Sequence, residues 1–212
     1  MKDIIIYGFG GFARELAWLI DEANQAKREW NILGFIDDNE QNKGKEQNGY
    51  KVLGGMEWFE ENKKVFCTIG VGNGVIREQI VQKIKDKVLG FPMIIHPDAR
   101  VSTSSAIGEG SIICAGCVIT VNTEIKDFVI INLNCTIGHD AVLDDYAVIA
   151  PGVHISGNVE IGKYTDIGTG ATVIQGVKIG AKCVVGASAA VIGDIPANCT
   201  AVGVPAKIIK ER

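Results

Sequence analysis

The pair His139-Asp140 is the part of this sequence best suited to acid–base chemistry. A neutral imidazole accepts protons readily near pH 7, and a neighbouring carboxylate orients the ring and favours its protonated form. The chain has three histidines, so few side chains compete for this role. We therefore treat His139 as a candidate general base and Asp140 as its partner, with an ordinary pair of surface residues as the alternative. His154 is interpreted as a structural residue.

A second group of residues is suited to binding phosphate. Gly8, Gly10 and Ala13 form the pattern Gly-x-Gly-x-x-Ala after one apolar run, and Asp37-Asp38 follow the next apolar run. Glycines at the start of a helix let phosphate oxygens approach backbone N–H groups, whether of a dinucleotide or of a nucleotide sugar. Only about ninety residues precede the repeat described below, fewer than a complete NAD-binding fold with a second domain requires. The nucleotide sugar is therefore favoured.

The elements that carry this second group alternate between strands and helices. Because alternating strands and helices form a parallel sheet whose ligands bind beyond the carboxyl ends of the strands, the glycine turn, Asp37-Asp38 and the loop beginning at Gly70 should lie at one edge. The pattern predicts strands over Lys2 to Gly8, Ile32 to Ile36 and Val65 to Ile69, and helices over Arg14 to Ala26 and Gly74 to Lys87.

The element that carries His139 is a repeat with a period of six residues. Starting at position 101, every sixth residue is aliphatic through sixteen consecutive steps. A period of six fits neither a helix nor a simple hairpin, and it predicts a parallel β-solenoid with short flat faces. The aliphatic series consists of Val101, Ile107, Ile113, Ile119, Ile125, Ile131, Ile137, Leu143, Ile149, Ile155, Ile161, Ile167, Val173, Ile179, Val185 and Val191.

A second series in the same repeat consists of small residues. Four positions after each of the first fifteen aliphatic residues, the chain has Ser, Thr, Cys, Ala or Val. These residues should point inward where the corners of the solenoid are narrow. Cys117, Cys135 and Cys183 fall in this series, so we expect them to fill the core. Cys114 and Cys117 also have Cys-x-x-Cys spacing, and a redox or zinc site is the alternative interpretation of that pair.

Composition excludes several classes of protein. The chain has 212 residues and a net charge of −4, without the basic excess typical of nucleic-acid binders. Its apolar runs are shorter than the roughly 20 residues of a membrane helix, and its N-terminus lacks the features of a secretory signal. We expect a cytoplasmic protein with reduced cysteines. The 26 glycines and 7% aromatic residues agree with a solenoid that has many tight corners.

The repeat resembles that of the hexapeptide-repeat acyltransferases, and the final Gly203-Val-Pro-Ala-Lys207 resembles the motif that closes their helix. Nearly the whole chain resembles the NeuD/PglD-like bacterial sugar acetyltransferases. This resemblance implies a Rossmann-like α/β domain over residues 1–95 that binds a nucleotide sugar, followed by a left-handed parallel β-helix over residues 96–212. The matching segments are Ile4 to Gly11, Gly34 to Asp38, Thr68 to Asn73 with Arg77, Ile95 to Pro97, Asn132 to Asp140 and Gly203 to Lys207.

The resemblance also implies a reaction, in which acetyl-CoA donates its acetyl group to a nucleotide-linked amino sugar. His139 is then the general base, Asp140 orients it, and the Gly157 amide faces the thioester carbonyl. No metal is implied, and active sites are expected between the subunits of a homotrimer. The implied acetyl-CoA contacts are Gly157, Thr169, Ala187 and Lys207, and the implied substrate contacts are Gly10, Gly11, Phe12, Asp37, Asp38, Gly70 and Asn132.

Two positions depart from the family pattern. Many relatives have histidine where this chain has Phe12, and some N-acetyltransferases have histidine where it has Val148. The sequence also leaves other functions open. The closest alternative is O-acetylation of a sugar such as a sialic acid, because the same base serves a hydroxyl group. A zinc-dependent hydratase of the carbonic-anhydrase type and a nucleotide-sugar sensor without catalysis are the others.

Overall fold

The computed structural model describes residues 1–62 and 64–211, and the chain divides into two compact units, Met1–Pro97 and Asp98–Arg212. None of the helices in the described residues combines the length and apolar composition needed to cross a membrane. In chain order, the first unit consists of β1 (Lys2–Tyr7), α1 (Gly11–Ala26), β2 (Trp30–Ile36), a 3-10 helix (Glu40–Asn42), β3 (Glu46–Gln47), β4 (Tyr50–Gly54), α2 (Trp58–Glu61), β5 (Phe66–Ile69), α3 (Gly74–Ile84) and β6 (Ile94–Ile95).

The first unit is built on a sheet with strand order β3-β4-β2-β1-β5. Strands β1, β2, β4 and β5 are parallel, and β3 pairs antiparallel with β4. The residues of β1 from Ile4 to Tyr7 are buried, and α1 buries the face that carries Leu16 and Ile20. Because β1 lies between β2 and β5, the loops that follow these three strands lie side by side at one edge.

The second unit winds through very short strands. In chain order they are β7 (Arg100–Val101), β8 (Ala106–Ile107), β9 (Ile112–Ile113), β10 (Val118–Ile119), β11 (Glu124–Ile125), β12 (Ile130–Ile131), β13 (Thr136–Ile137), β14 (Val142–Leu143), β15 (Val148–Ile149), β16 (His154–Ile155), β17 (Glu160–Ile161), β18 (Asp166–Ile167), β19 (Thr172–Val173), β20 (Lys178–Ile179), β21 (Val184–Val185), β22 (Ala190–Val191), β23 (Cys199–Val202) and β24 (Lys207–Glu211).

Every third short strand belongs to the same parallel sheet, so one coil takes eighteen residues. The first sheet contains β7, β10, β13, β16, β19 and β22, and the second contains β8, β11, β14, β17 and β20. The third sheet runs from β9 through β12, β15, β18 and β21 to β23, which pairs antiparallel with β24. The second unit is the left-handed parallel β-helix that the resemblance implies.

Three edges connect the sheets, and each is named here by the residues it carries. The turns from the first sheet to the second form the His139 edge. The turns from the second sheet to the third form the aromatic edge, which carries Phe128, Tyr146 and Tyr164. The turns from the third sheet to the first form the Thr169 edge. Residues eighteen positions apart lie in neighbouring coils at the same place on an edge, as the register of β10, β13 and β16 shows.

The six-residue repeat produces the core of this unit. From Ile113 onward every residue of the aliphatic series is buried, whereas Val101 and Ile107 are half-buried because β7 and β8 are the terminal strands of their sheets. The small series is buried from Ser111 onward. Cys117 and Cys135 are fully buried, so their predicted core role is confirmed.

The cysteines do not form a disulfide scaffold. All six are buried, and no disulfide is found among the described residues. The Cys117 thiol donates a hydrogen bond to the backbone carbonyl of Asn132 at 3.0 Å. Cys114 and Cys117 are both buried, and the small series of the repeat accounts for Cys117 without a redox or metal role.

Candidate active site

The turn that carries His139 follows directly from the repeat. Strand β13 ends at Ile137, and Gly138, His139 and Asp140 lead around the His139 edge. Asp140 adopts the left-handed conformation with φ of 58°, which aspartate tolerates better than most residues, and its N–H donates to the carbonyl of Val121 at 3.1 Å. Both side chains project outward from the β-helix, and 48% of the His139 side-chain surface is exposed.

The imidazole and the carboxylate form a direct pair. His139 Nδ1 lies 2.7 Å from Asp140 Oδ2. Hydrogen bonds from His139 and Asn122 hold the pKa of Asp140 below its usual value, so this carboxylate is ionised at neutral pH. An ionised carboxylate accepts hydrogen bonds and cannot donate them, so Nδ1 carries the proton. Nε2 then presents its lone pair, and no group of the described residues occupies it.

Gly157 lies one coil further along the same edge, beside the imidazole. A Cβ atom built on Gly157 would lie 2.5 Å from Cε1 of His139, so the ring occupies space that any other residue would fill. The Gly157 carbonyl accepts from Gly176 at 3.0 Å. Its N–H makes no hydrogen bond within the described residues, and it is thus available to a bound oxyanion next to the free Nε2.

The other residues predicted to contact acetyl-CoA lie elsewhere. Thr169 and Ala187 are exposed in consecutive coils of the Thr169 edge, where the N–H of Ser188 donates to the Thr169 carbonyl at 2.8 Å. Lys207 is exposed at the start of β24. Because the width of the first sheet separates the Thr169 edge from the His139 edge, one chain does not bring these residues to His139.

Asn132 also lies on the Thr169 edge, one coil before Ala150. Its side chain is half-buried, and Oδ1 accepts a hydrogen bond from the N–H of Leu133 at 2.8 Å. This bond turns the oxygen toward the chain and leaves the Nδ2 group as the available donor. The structure therefore separates Asn132 from His139 within one chain.

Gly10, Gly11 and Phe12 form the beginning of α1. Gly10 is the N-cap residue with extended backbone, and the first turn contains no acidic side chain. A Cβ atom on Gly10 or Gly11 would meet no protein atom within 4 Å, so the space beside both residues is open. The unpaired N–H groups and the positive end of the helix dipole suit a phosphate group at this place. Phe12 is half-buried beside it.

The loop after β5 is held close to the beginning of α1. A Cβ atom on Gly70 would lie 2.6 Å from Cα of Ala13, so only glycine allows this approach. Arg77, which is 1% exposed, donates from Nη1 to the carbonyls of Val71 at 2.7 Å and Gly72 at 2.9 Å. The buried guanidinium fixes the shape of this loop.

Asp37 and Asp38 lie after β2 and differ in their partners. Asp37 Oδ1 accepts from the N–H of Asn39 at 3.0 Å, and Asp38 accepts from the Tyr7 hydroxyl at 2.7 Å and the Met56 N–H at 3.0 Å. Burial, together with the bond to Asp38, raises the pKa of Tyr7 above its usual value. Both aspartates line a cavity of about 440 Å³ with Glu40, Lys43, Gly55 and Glu57. Its mostly acidic lining suits hydroxyl and N–H donors better than phosphate.

The two remaining histidines are bound to other partners. His154 Nδ1 lies 2.9 Å from the Thr136 hydroxyl, and His96 Nε2 lies 2.6 Å from Glu22 Oε2. Within residues 1–62 and 64–211 there is no group of three or more His, Cys, Asp or Glu side chains arranged to hold a metal ion.

Tyr7 and Asn122 lie outside the predicted site and contact its members. The Tyr7 hydroxyl orients Asp38, and the Asn122 amide donates to Asp140 Oδ1 at 3.3 Å. Asn122 precedes Asp140 by eighteen residues, so the period of one coil is the signal that identifies it. No comparable signal exists for Tyr7, because its contact depends on the spacing of β1 and the loop after β2.

Comparison with known families and curated proteins gives two matches. Residues 3–84 match the family model of the PglD N-terminal domain. The UDP-N-acetylbacillosamine N-acetyltransferase of Bacillus subtilis (strain 168) is 34% identical over 127 residues, which cover 54% of this chain and 52% of that protein. The matched region thus spans about half the length of this curated relative.

Solved structures that match nearly the whole chain include the following two. The acetyltransferase domain of PglB from Neisseria gonorrhoeae FA1090, in complex with acetyl coenzyme A, has 33% identity and a TM-score of 0.89, with 98% of this chain and 99% of that chain covered. PerB from Caulobacter crescentus, in complex with CoA and GDP-perosamine, has 30% identity and a TM-score of 0.89, with 99% and 98% covered. This chain therefore belongs to the NeuD/PglD-like family of sugar acetyltransferases.

Proposed function

We propose that this enzyme transfers an acetyl group from acetyl-CoA to the amino group of a nucleotide-linked sugar, with His139 as the general base. The observation that carries the proposal is the free Nε2 of His139 beside the unused N–H of Gly157. Similarity to a domain solved with acetyl coenzyme A and to PerB solved with CoA and GDP-perosamine supports the choice of substrates. The product would be an N-acetylated nucleotide sugar for glycan biosynthesis.

The proposed reaction needs one base and one oxyanion donor. The sugar amine attacks the thioester carbonyl carbon, and His139 Nε2 takes a proton from the nitrogen as the C–N bond forms. The Gly157 N–H donates to the oxyanion, and the Asp140 carboxylate stabilises the imidazolium. When the C–S bond breaks, the sulfur of coenzyme A takes the proton from the imidazolium, which restores neutral His139.

The first unit would hold the nucleotide. We assign the diphosphate to the N–H groups of Gly10, Gly11 and Phe12 at the beginning of α1, where the helix dipole favours negative charge. The nucleoside is assigned to the cavity lined by Asp37 and Asp38, because carboxylates accept hydrogen bonds from ribose hydroxyls and base N–H groups. The loop at Gly70 lies on the other side of the glycine turn from this cavity, because β1 is placed between β2 and β5.

We also propose a homotrimer in which acetyl-CoA lies between subunits. His139 and Gly157 lie on one edge of the prism, while the predicted donor residues Thr169 and Ala187 and the substrate residue Asn132 lie on another, so a second copy must supply one of the two edges. Exposed aliphatic side chains support a contact here. Val118 lies on the first sheet, and Val121, Ile174 and Ile192 lie on the His139 edge, with exposed fractions of 37% to 57%. We also assign Lys207 to the binding of acetyl-CoA.

A compartment that keeps thiols reduced fits the chain. All six cysteines are buried without a disulfide in the described residues. Cytosolic proteins generally keep their thiols reduced, so we propose the cytoplasm as the location.

The test is an acetyl-transfer assay with a panel of UDP-, dTDP-, GDP- and CMP-linked sugars in matched amino and hydroxyl forms. We expect acetyl-CoA consumption with at least one amino sugar, and mass spectrometry of the product should locate the acetyl group on nitrogen. Consumption with hydroxyl sugars alone would overturn N-acetylation in favour of O-acetylation. Binding without transfer for every sugar would overturn the enzymatic proposal.

The base is tested with two histidine variants. His139→Ala should reduce kcat about 10²- to 10⁴-fold, the usual contribution of a general base. His154→Ala is the matched control, since it removes another exposed imidazole, and it should keep turnover close to that of the unmodified enzyme. Near-normal turnover by His139→Ala would refute the assignment.

A further inference from the structure

We infer that Asn122 is a positioning residue for the reaction, which acts on His139 through Asp140. The inference rests on the proposed function of His139 and extends it by one residue. Asn122 lies on the His139 edge, one coil before Asp140, and its Nδ2 donates to Asp140 Oδ1 at 3.3 Å. The other carboxylate oxygen, Oδ2, accepts from His139 Nδ1 at 2.7 Å. The carboxylate thus links the amide to the imidazole.

The backbone of Asn122 is held so that its amide meets Asp140. Its φ of 57° is left-handed, and its N–H donates to the hydroxyl of Ser104, one coil earlier, at 3.1 Å. Asp140 has the same left-handed conformation at the equivalent position of the next coil, with φ of 58°. Neighbouring coils therefore place the two side chains one above the other.

Holding both oxygens has a chemical consequence. A carboxylate bonded through one oxygen rotates about its terminal torsion, whereas bonds to Oδ1 and Oδ2 together fix its plane. The fixed carboxylate sets the direction of the Nδ1 proton, and thereby the direction of the Nε2 lone pair that takes the substrate proton. The same two bonds favour the ionised form of Asp140, whose pKa lies below its usual value.

The neighbourhood of Asp140 leaves this role to Asn122. At the equivalent place in the following coil lies Asn158, which does not titrate and whose N–H donates to the His139 carbonyl at 2.8 Å. The Asp140 N–H donates to the carbonyl of Val121. Among the described residues, the titratable group that contacts the Asp140 carboxylate is His139.

The first experiment compares Asn122→Gly with the matched control Asn198→Gly. Glycine removes the amide but keeps the left-handed backbone, which Asn198 also adopts with φ of 62° at an exposed turn. We expect Asn122→Gly to lower kcat roughly two- to tenfold, as for the loss of one hydrogen bond, with both KM values unchanged. Asn122→Asp should lower kcat further, because the new carboxylate repels that of Asp140. An unchanged kcat in Asn122→Gly would overturn the inference.

A double-mutant cycle then tests the route through Asp140. If Asn122 acts through that carboxylate, the double variant Asn122→Gly/Asp140→Gly should be no slower than Asp140→Gly alone. If the double variant instead loses kcat by the product of the two single-variant factors, the inference is overturned. A wrong assignment of the base would be detected separately, as near-normal activity of His139→Ala.

A third measurement does not depend on activity. In protein with ¹⁵N-labelled histidine, long-range ¹H–¹⁵N spectra report the tautomers of the three imidazoles. We expect neutral His139 to carry its proton on Nδ1, and Asn122→Gly to increase the fraction with the proton on Nε2. The Asn198→Gly spectrum should match that of the unmodified protein. An unchanged tautomer ratio in Asn122→Gly would refute the positioning role.

Discussion

At the scale of single residues, the arrangement around His139 depends on an absent side chain. The imidazole lies where a Cβ atom of residue 157 would be, so the absence of a side chain at Gly157 allows the proposed base its position. The position of the His139 ring thus depends on Gly157, eighteen residues further along the chain.

Gly157→Ala should therefore impair catalysis while keeping the backbone amide. The added methyl group must displace the ring of His139, and we expect kcat to fall about 10- to 100-fold, since small misplacements of a base are costly. Steady-state kinetics would check this. Gly193→Ala is the control, because Gly193 lies on the same edge and a Cβ atom there meets nothing within 4 Å. Equal activity of the two variants would contradict the steric argument.

The pH dependence of the reaction follows from the state of Asp140. Its pKa is lowered by hydrogen bonds from His139 and Asn122, so bonds to its charged form are present at neutral pH and are lost only as pH falls through that lowered pKa. Across about pH 5 to 8, where imidazoles change charge, the carboxylate stays ionised. A plot of log kcat/KM against pH, corrected for the fraction of the substrate amine that is unprotonated, should fall on its acidic side with a slope of one. A slope of two would show that both groups titrate together.

At the scale of elements, the aromatic edge combines an unfavourable backbone conformation with stacked aromatic rings that stabilise it. Phe128, Tyr146 and Tyr164 are bulky residues with φ of 56° to 59°, a conformation that such residues rarely adopt. Their rings stack with centroid distances of 5.1 Å and 5.8 Å, and Lys163 Nζ lies 4.8 Å from the centroid of Tyr164. Ring contacts between coils thus compensate for an unfavourable backbone.

Substitutions of Tyr146, which is 5% exposed, separate these two effects. Tyr146→Ala should lower the free energy of unfolding by about 2–4 kcal/mol through the lost ring contacts. Tyr146→Gly should be less damaging than Tyr146→Ala by up to about 1 kcal/mol, because glycine adopts the left-handed conformation without strain. Urea denaturation would measure both, with Tyr146→Phe as the control that keeps the stack. If alanine is the better tolerated residue, the backbone is not strained.

The sequence predicts elements well where one period extends over many residues. The six-residue repeat identifies the buried series from Ile113 onward, because each coil imposes the same inward position. It predicts less in the first unit. The helix predicted to begin at Arg14 begins at Gly11, since glycines have low helix propensity and mask the start. The helix predicted to reach Lys87 ends at Ile84, so that prediction is wrong for its last three residues.

Short elements and contacts between side chains were harder to predict. The sequence pattern does not predict the hairpin of β3 and β4, because Glu46 to Gly54 contains too few apolar residues to show a period. His139 and Asp140 stood out because histidine is rare in this chain, and the structure brings them together at 2.7 Å. Asn122 is an ordinary polar residue until the eighteen-residue coil places it beside Asp140.

At the scale of the whole molecule, the proposed homotrimer makes two inactive variants complementary. His139→Ala removes the base from one edge, and Ala187→Trp blocks the donor groove proposed at the Thr169 edge. Each should be inactive alone. When equal amounts of the two variants assemble into trimers at random, about a quarter of the sites combine an intact His139 edge with an intact Thr169 edge. Co-expression should therefore restore about a quarter of the activity per site.

Separate purification followed by mixing provides the control for that experiment. Subunits that do not exchange should remain inactive after mixing, and sedimentation should give the mass of a trimer for each variant. A monomer mass, or no recovery on co-expression, would contradict a site shared between copies.

The division into two units also separates the aromatic chromophores. All three tryptophans, Trp18, Trp30 and Trp58, belong to the first unit, and the solenoid has Tyr146 and Tyr164 instead. Tryptophan emission excited at a wavelength that tyrosine does not absorb therefore reports on the first unit alone. The protein carries a built-in optical reporter that distinguishes loss of structure in this unit from unwinding of the coils.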